Sequence, residues 1–285
     1  MSVFGQLREA IGKLNPSEVR AQAEQPLAIR LRAGSEAAYD SLFRMLLPDS
    51  LSVERRRRSS ASIYLDGEPN RPTHIDVAIV ERGEMASPND FVYTPGREAT
   101  LIQEILDQRP HLDLTLARTF PAFREEVTRR IVHKVSGENA MFSIATAIPN
   151  IAPYLGLVWS PAEFASDTAF LTLNQIRMIF MLGAASDRVA GYSEQKSEVA
   201  SIITGAFGWR AVARELAGKI PAGGGLIPKA AIAYAGTWVV GASIERLYRI
   251  GYGYTRAERK QAYSEAFDRG KEVASNVVKK FRKAG

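Results

Sequence analysis

The stretch "LAIRLRAGSEAAYDSLFRML", residues 27–46, decides the fold class of the N-terminal part of the chain. Its first six residues, "LAIRLR" (27–32), alternate apolar and polar side chains, which is typical of a β-strand. The residues that follow have helical spacing instead, with one apolar side formed by Ala38, Leu42, Met45 and Leu46. A strand that runs directly into a helix predicts the first unit of an α/β layer.

The turn between this strand and this helix has the length of a phosphate-binding loop. The pattern of such a loop is G-x-x-x-x-G-K-S, and Gly34 and Ser41 stand at its two ends. Tyr39 replaces the second glycine, and Asp40 replaces the lysine that neutralises phosphate. Two interpretations stay open: an ordinary strand-to-helix turn, or a degenerate GTPase module that keeps the shape. Both predict no nucleotide hydrolysis, because the D-x-x-G and N-K-x-D motifs of a GTPase are missing.

Further segments up to residue 118 continue the alternation of strands and helices. "NPSEVRAQAE" predicts a first helix, with Asn15 as its cap, Pro16 in its first turn and Glu18 completing a capping box. The other predicted elements are a charged loop over "ERRRR" (54–58), strands over 60–67, 75–81 and 112–118, and a helix over 97–106. In this order the second and third strands form a hairpin, as at the start of a small GTPase. The sheet is expected to be mostly parallel.

The composition excludes several kinds of site. The chain has no cysteine, which excludes disulfides, thiolate metal sites and thiol catalysis. Its histidines, His74, His111 and His133, are far apart in the sequence, so no metal site and no cofactor are expected. The net charge of +6 favours an acidic partner, but basic and aromatic residues do not interleave as in nucleic-acid-binding proteins. No signal peptide is expected, because "MSVFGQLREAIGKL" carries charges early.

After residue 119 the strand patterns stop and a series of apolar helices is predicted. Residues 139–162 contain no charged side chain, although Pro149, Pro153 and Pro161 interrupt them. Two more apolar stretches follow, 164–186 with Asp167 and Arg177, and 220–244 with Lys229.

The last predicted helix starts at Thr255, which forms a capping box with Glu258. Its expected apolar face consists of Tyr263, Phe267, Val273, Val277 and Phe281. Residues 256–285 hold nine basic and four acidic side chains, a net charge of +5. Most of the excess charge of the chain is therefore placed in this helix.

The segments "FPAFREEVTRRIVHKVSGENAMFSIATAIPNIAPY", "LNQIRMIFML" and "KIPAGGGLIPKAAIAYAGTWVVGA" together resemble the YcjF-like domain, a bacterial domain of unknown function. The resemblance covers roughly residues 119–255. It rests on Phe120, Pro121, Arg124, Asn139, Ala140, Pro149, Pro153, Gln175, Arg177 and Met178. Because this domain often follows a GTPase domain, the resemblance also favours a degenerate, truncated GTPase-like module before it. The resemblance implies association with a bacterial membrane or a partner GTPase, and it implies no catalytic residue.

Two placements of the apolar stretches stay open. In a membrane, residues 139–162 would form a bent hairpin with its turn near Pro149 to Pro153. The small residues Ala233, Thr237 and Gly241 have a spacing that lets helices pack closely in lipid. The same patterns also suit a water-soluble helical bundle. The basic C-terminal helix would lie on anionic headgroups in the first case and pack on the bundle in the second.

The sequence predicts an α+β chain with an N-terminal helix (1–25), a degenerate GTPase-like α/β module (26–118) and a YcjF-like helical domain (119–285). The predicted function is a non-catalytic, membrane-associated adaptor or regulator at the cytoplasmic face of the inner membrane. Its expected partners are anionic lipid and a protein such as an active GTPase. The alternatives are an atypical nucleotide hydrolase and a soluble structural or assembly protein. The basic residues expected to contact an acidic partner are Arg55, Arg56, Arg57, Arg58, Lys279, Lys280, Arg282 and Lys283.

Overall fold

The computed structural model describes residues 14–67, 72–146, 167–204 and 225–284, with side chains at all of these positions except 167, 168 and 280–284. The chain divides into two compact units. The sheet unit comprises Glu18–Thr128 and Ala184–Arg188, and the helical unit comprises Met1–Ser17, Arg129–Gly183 and Val189–Gly285. An N-terminal α/β part and a C-terminal helical part make the chain α+β, so the predicted fold class is confirmed.

The sheet unit is built on four parallel strands. The strands are β1 (Ile29–Arg32), β2 (Ile63–Leu65), β3 (Val77–Glu81) and β4 (Phe91–Tyr93). The helices of this part are α1 (Pro16–Ala23), α2 (Glu36–Leu46), α3 (Val53–Ser60), α4 (Glu98–Gln108) and α5 (Asp113–Thr119). The strand order is β2-β1-β3-β4, with Ile29 opposite both Ile63 and Val77.

Alternation along β1 places the core on one face of the sheet. Ile29 and Leu31 are fully buried, as are Leu42 and Leu46 on α2, which packs against β1. Each such side chain contributes about 1.5–3 kcal/mol when it leaves water. The intervening Arg30 lies on the other face of the sheet.

The expected hairpin between the second and third strands is wrong. β2 and β3 are not neighbours, because each pairs in parallel with one side of β1. The connection from Asp66 to Asp76 is longer than the two to five residues of most hairpin loops, so it can cross to the other side of β1. Strand β4 was not predicted, because it is only three residues long and therefore too short for a periodic pattern.

Two of the predicted local structures are also wrong. "ERRRR" lies in helix α3, because the Ser52 side chain accepts a hydrogen bond from the Arg55 N–H and arginine is a good helix former. "LDLTLAR", predicted to be a strand, runs from a 3-10 turn into helix α5. Its apolar residues alternate, but Leu112, Leu116 and Phe120 also recur every fourth residue, and all three are buried. Over so short a segment, the alternation of a strand cannot be distinguished from the four-residue spacing of a helix.

The C-terminal part consists of long helices. They are α6 (Arg124–Ala145), α7 (Asp167–Ala185), a helical segment over 196–204, α8 (Leu226–Ile250) and α9 (Arg256–Ala284). Phe142 on α6 stacks on Phe170 of α7, with ring centroids 3.6 Å apart. The core of the helical unit is therefore a side-by-side packing of apolar helices.

The turn between α8 and α9 is defined by helix caps at both ends. Gly251 ends α8 in the left-handed conformation, with φ of 87°, which a glycine adopts without strain. The predicted capping box is confirmed: Thr255 N–H donates to Glu258 Oε2 at 2.8 Å, and Glu258 N–H donates to Thr255 Oγ1 at 3.3 Å. The Arg246 guanidinium, which donates to Glu258, and the cap hydrogen bonds lower the pKa of Glu258 to about 2.

Helix α9 packs along α8 through an apolar face. Of the predicted face, Tyr263 is buried and Phe267, Val273 and Val277 are half-buried, which confirms these positions. The side chain of Phe281 lies outside the described residues. The closest approach of the two helices is at Gly270, where a Cβ atom would lie 2.9 Å from the Ala231 Cα and 3.0 Å from the Ala231 carbonyl oxygen.

Within the described ranges, no helix combines the length and the apolar content that crossing a bilayer requires. Of the three apolar stretches of the sequence, the structure describes 139–146, 167–186 and 225–244. The expected hairpin turn near Pro149 to Pro153 lies outside the described residues.

We expect Gly270→Ala to destabilise the protein and Gly236→Ala to stabilise it. Both glycines lie in helices, so alanine gains about 0.5–1 kcal/mol in helix propensity at either position. The added methyl group meets nothing within 4 Å at Gly236, whereas at Gly270 it meets the α8 backbone, which cannot rotate away. Overpacking of this kind costs about 1–3 kcal/mol. Urea denaturation of both variants measures the difference, and equal stabilities would contradict the close approach.

Candidate functional site

The turn after β1 is closed by a carboxylate from the neighbouring strand. Gly34 N–H donates to Glu81 Oε2 at 2.9 Å, and Glu81 is the last residue of β3. The carboxylate of Glu84 lies beside Gly34, so a side chain at this position would displace the exposed end of Glu84. The backbone donor that a phosphate would use is thus bound to an acidic side chain of the same chain.

Tyr39, Asp40 and Ser41, which stand at the middle and the far end of the loop pattern, lie on helix α2. The helix begins at Glu36, so Tyr39 N–H already donates to the Ser35 carbonyl at 3.0 Å. Asp40 pairs with Arg44 one turn later (3.5 Å), and Ser41 Oγ donates to the Ala37 carbonyl at 2.9 Å. Because these groups make intrahelical contacts, they do not form a ring of N–H groups around a ligand.

The carboxyl edge of the sheet, where α/β proteins commonly bind ligands, carries charged side chains of both signs, among them Arg32, Asp66, Glu81 and Arg82. Arg32 at the end of β1 is paired with Asp66 (2.7 Å) and donates to the Met85 carbonyl oxygen. Burial raises the pKa of Tyr93 at the end of β4, and the nearby carboxylates of Glu98 and Glu81 raise it further. The basic side chain at the end of β1 is therefore already paired, and carboxylates lie near the end of β4.

A second site is formed by the arginines of helix α3. Arg56 and Arg57 make exposed ion pairs with the neighbouring residues Asp49 and Glu54. Arg55 and Arg58 lie one turn apart and both reach Asp187, which follows helix α7 and belongs to the sheet unit. Nη2 of Arg58 lies 2.6 Å from Asp187 Oδ2, and Nη2 of Arg55 lies 3.0 Å from the same oxygen.

Two more arginines complete this group, which we name the arginine cluster: Arg55, Arg58, Arg118 and Arg124. Arg118 Nε lies 3.8 Å from Asp187 Oδ1, and its Nη2 lies 3.1 Å from Glu24 Oε1. Arg124 donates to the backbone carbonyls of Ala117 and Arg118. Burial, followed by the positive charge of Arg55, lowers the pKa of Arg124 to about 10, although Asp187 partly opposes this shift. The cluster therefore contains more positive charge than its carboxylates neutralise.

Arg55 to Arg58 were predicted from the sequence to contact an acidic partner, but Asp187 was not predicted to lie beside them. The sequence separation between Arg58 and Asp187 is 129 residues, and no local pattern connects them. The other named basic residues are on α9, where Lys279 is exposed. The side chains of Lys280, Arg282 and Lys283 lie outside the described residues.

A third polar group lies inside the helical unit and involves positions on which the resemblance to the YcjF-like domain rests. Arg177 on α7 forms an ion pair with Glu138 on α6, and both side chains are largely buried. Asn139 Nδ2 donates to Thr237 Oγ1 on α8 at 2.6 Å, and Gln175 Nε2 donates to the same oxygen at 3.2 Å.

Asn174 links the two halves of this buried network. Its Nδ2 donates to Glu138 Oε2 at 3.1 Å and to Asn139 Oδ1 at 2.9 Å. Its own Oδ1 and the Nε of Arg177 are buried and lack a hydrogen-bond partner. The network fixes the register of α6, α7 and α8 because a shifted helix would leave further buried groups unpaired.

The histidines do not converge. His74 is exposed and lies 3.2 Å from Asp76, and His133 Nδ1 lies 2.9 Å from the hydroxyl of Tyr234. The carbonyl oxygen of His111 accepts a hydrogen bond from Gln25. In the part of the chain that the structure describes, no three histidine or acidic side chains are arranged to hold a metal ion.

We expect Arg177→Met to destabilise the protein by about 3–5 kcal/mol, because Glu138 is left buried without its counter-ion. The double variant Glu138→Gln/Arg177→Met should regain most of this loss, since the glutamine can still accept from Asn174. Arg249→Met is the matched control. It breaks the more exposed pair with Glu245 on α8 and should cost less than about 1 kcal/mol. Urea denaturation measures all three variants, and equal losses for Arg177→Met and Arg249→Met would contradict a buried pair.

Comparisons of the chain with models of protein families, with curated proteins and with solved structures found no match. The resemblance to a YcjF-like domain therefore stays a prediction.

Proposed function

We propose that the chain is a non-catalytic, membrane-associated adaptor or regulator, in which a pseudo-GTPase-like module accompanies a YcjF-like helical domain. The hydrogen bond from Gly34 N–H to the Glu81 carboxylate is the main support for a module that does not hydrolyse nucleotides. A nucleotide phosphate would have to displace Glu81 and would also meet Glu84. The phosphate and these carboxylates carry like charges and would repel one another, although solvent screens charges in this exposed turn.

The chemistry that hydrolysis needs is also missing from this turn. A phosphate-binding loop supplies a lysine to the phosphates and a hydroxyl to magnesium. Here Asp40 occupies the position of the lysine and pairs with Arg44, while the Ser41 hydroxyl donates to the helix backbone. The proposal therefore assigns the sheet unit a binding role without a reaction.

The distribution of positive charge supports an acidic partner. The arginine cluster carries excess charge in the sheet unit, and residues 256–285 carry a net +5. Exposed basic residues on the described part of α9 include Arg256, Arg259, Lys260 and Lys279. Clusters of this kind bind anionic membranes through long-range attraction that salt screens. The proposed partners are anionic lipid at the cytoplasmic face of a membrane and a second protein such as an active GTPase.

A soluble structural protein is the second candidate, and helix packing in the helical unit favours it. The small residues that would allow close packing in lipid are already used within the chain. Gly241 lies against Val132 and Met178, and the hydroxyl of Thr237 accepts a hydrogen bond from Asn139. Such a bundle needs no lipid to cover these faces.

We expect calorimetric titration with GTP or ATP and magnesium to detect no binding. Micromolar affinity for either nucleotide would contradict the proposal and favour the atypical hydrolase. Asp40→Lys restores the charge of a phosphate-binding lysine, but it should create no hydrolysis because Glu81 still occupies the turn and the other motifs are missing. Phosphate release by this variant, measured in a turnover assay, would contradict the account of the turn.

Flotation of the detergent-free protein with anionic liposomes tests the membrane part. Flotation at low salt that is lost at high salt is the expected result, because exposed basic side chains bind headgroups electrostatically. Flotation that survives high salt would indicate apolar insertion instead. Absence of flotation from a monodisperse protein would contradict membrane association and favour the soluble structural candidate.

A further inference from the structure

Two arginines of the arginine cluster share one carboxylate oxygen of Asp187. Asp187 Oδ2 faces both Arg55 and Arg58, but only Arg58 makes a contact with hydrogen-bond geometry. One carboxylate oxygen therefore serves two guanidinium groups, and arginine offers further donors to an additional acceptor oxygen.

The charges of the cluster do not balance either. Its four guanidinium groups face two carboxylates, those of Asp187 and Glu24. The side chain of Glu24 is half-exposed, so solvent screens its contribution. The one buried carboxylate, that of Asp187, therefore leaves part of the positive charge of the arginine cluster unneutralised. The cluster can bind a further anion.

Asp187 is held in an unusual backbone conformation. Its φ is 59°, and among the described residues it is the only one other than glycine with a positive φ. Aspartate tolerates this conformation better than most residues, but at some energetic cost. The ion pairs to Arg55 and Arg58 compensate for that cost, so the position of Asp187 depends on the arginines.

The cluster is open to solvent on one side. The side chain of Arg58 is 59% exposed and that of Arg55 is 34% exposed, whereas Asp187 is 9% exposed. A ligand can thus approach the outer guanidinium groups while Asp187 stays behind them. Arginine presents its N–H groups as a planar fork, which matches two oxygens of a carboxylate or a phosphate.

We propose that Arg55, Arg58 and Arg118 form a binding site for a phosphate monoester, for which Asp187 acts as an internal competitor. A phosphate monoester carries a charge of about −1.5 to −2 and three acceptor oxygens, so it can neutralise more of the cluster than one carboxylate does. Its oxygens would accept from the exposed side of Arg58 and compete with Asp187 for the guanidinium of Arg55. The site deepens the proposed function, on which it rests, because it names the group that an acidic partner would present.

The phosphate group could belong to a lipid headgroup or to a soluble phosphate ester. Both present the same terminal dianion to the arginines, whereas the phosphodiester of phosphatidylglycerol carries a single charge and has fewer free oxygens. The chemistry of the site therefore predicts a preference for phosphatidic acid over phosphatidylglycerol if the source is a membrane.

The first test is calorimetric titration of the full chain with inorganic phosphate at constant ionic strength. Asp187→Asn removes the competing charge, and we expect it to tighten phosphate binding by about tenfold. Arg58→Gln should weaken binding by about tenfold or abolish it. Arg57→Gln is the matched control, because it makes the same change of charge on the adjacent residue, whose partner is Glu54. It should leave the affinity unchanged.

Two results of this titration would overturn the site. The first is equal weakening by Arg57→Gln and Arg58→Gln, which would indicate general attraction by the basic helix. The second is absence of phosphate binding to both the wild type and Asp187→Asn. Circular dichroism shows whether Asp187→Asn is folded, and if it is not, the wild type and the Arg57 and Arg58 variants decide the outcome alone.

The second test distinguishes the sources of the phosphate group. Flotation is compared for phosphatidylcholine vesicles that contain phosphatidic acid and for vesicles of equal surface charge that contain phosphatidylglycerol. A preference for phosphatidic acid that Arg58→Gln removes and Arg57→Gln retains assigns the site to a lipid headgroup. Binding of inorganic phosphate without such a preference assigns it to a soluble ester. Because calorimetry uses no vesicles, failure of membrane association and failure of the phosphate site give different results.

Discussion

Strand β1 is the constraint on which the sheet unit depends, because it is paired on both sides. Ile29 lies opposite Ile63 and Val77, and Ile29 and Leu31 are fully buried beneath the helices. The main chain leaves β1 directly into the turn at Gly34 and then into α2. Since β3 runs parallel beside β1, its last residue, Glu81, ends next to this turn. The pairing of two strands therefore places a carboxylate at the N–H of Gly34.

The helical unit depends on a different constraint, the satisfaction of a few polar groups in an apolar interior. Apolar packing alone allows helices to slide by a turn at modest cost, because one aliphatic contact can replace another. The contacts among Glu138, Asn139, Asn174 and Arg177 exist in one register only. Hydrophobic burial thus supplies the stability, and the buried network selects the arrangement.

Local patterns of the sequence predicted several elements correctly. Helical spacing predicted α2 and α4, and a run that is apolar on both faces predicted the central strand β3. The pair Thr255 and Glu258 predicted the capping box of α9. The strand expected over 112–118 is a helix, because an alternating pattern over so few residues also fits a spacing of four.

Long-range placement was harder to derive than local structure. The position of β2 on the far side of β1 depends on a connection whose path no local pattern encodes. Asp187 could not be assigned to Arg55 and Arg58 for the same reason, since the two segments meet only in the folded chain. By contrast, Asn139, Gln175 and Arg177 could be named from the sequence, because polar residues stand out within apolar helices. Their common network required the structure.

The turn at Gly34 and the arginine cluster around Asp187 differ in which sign of charge is in excess. At Gly34, one backbone N–H donates to the carboxylate of Glu81, and the carboxylate of Glu84 lies close by, so negative charge is in excess. At Asp187, one carboxylate faces the arginine cluster, so positive charge is in excess. An incoming phosphate would raise the electrostatic energy at the first position and lower it at the second. The capacity to bind an anion is therefore expected at the arginines, and the turn that resembles a phosphate-binding loop is expected to contribute to the fold alone.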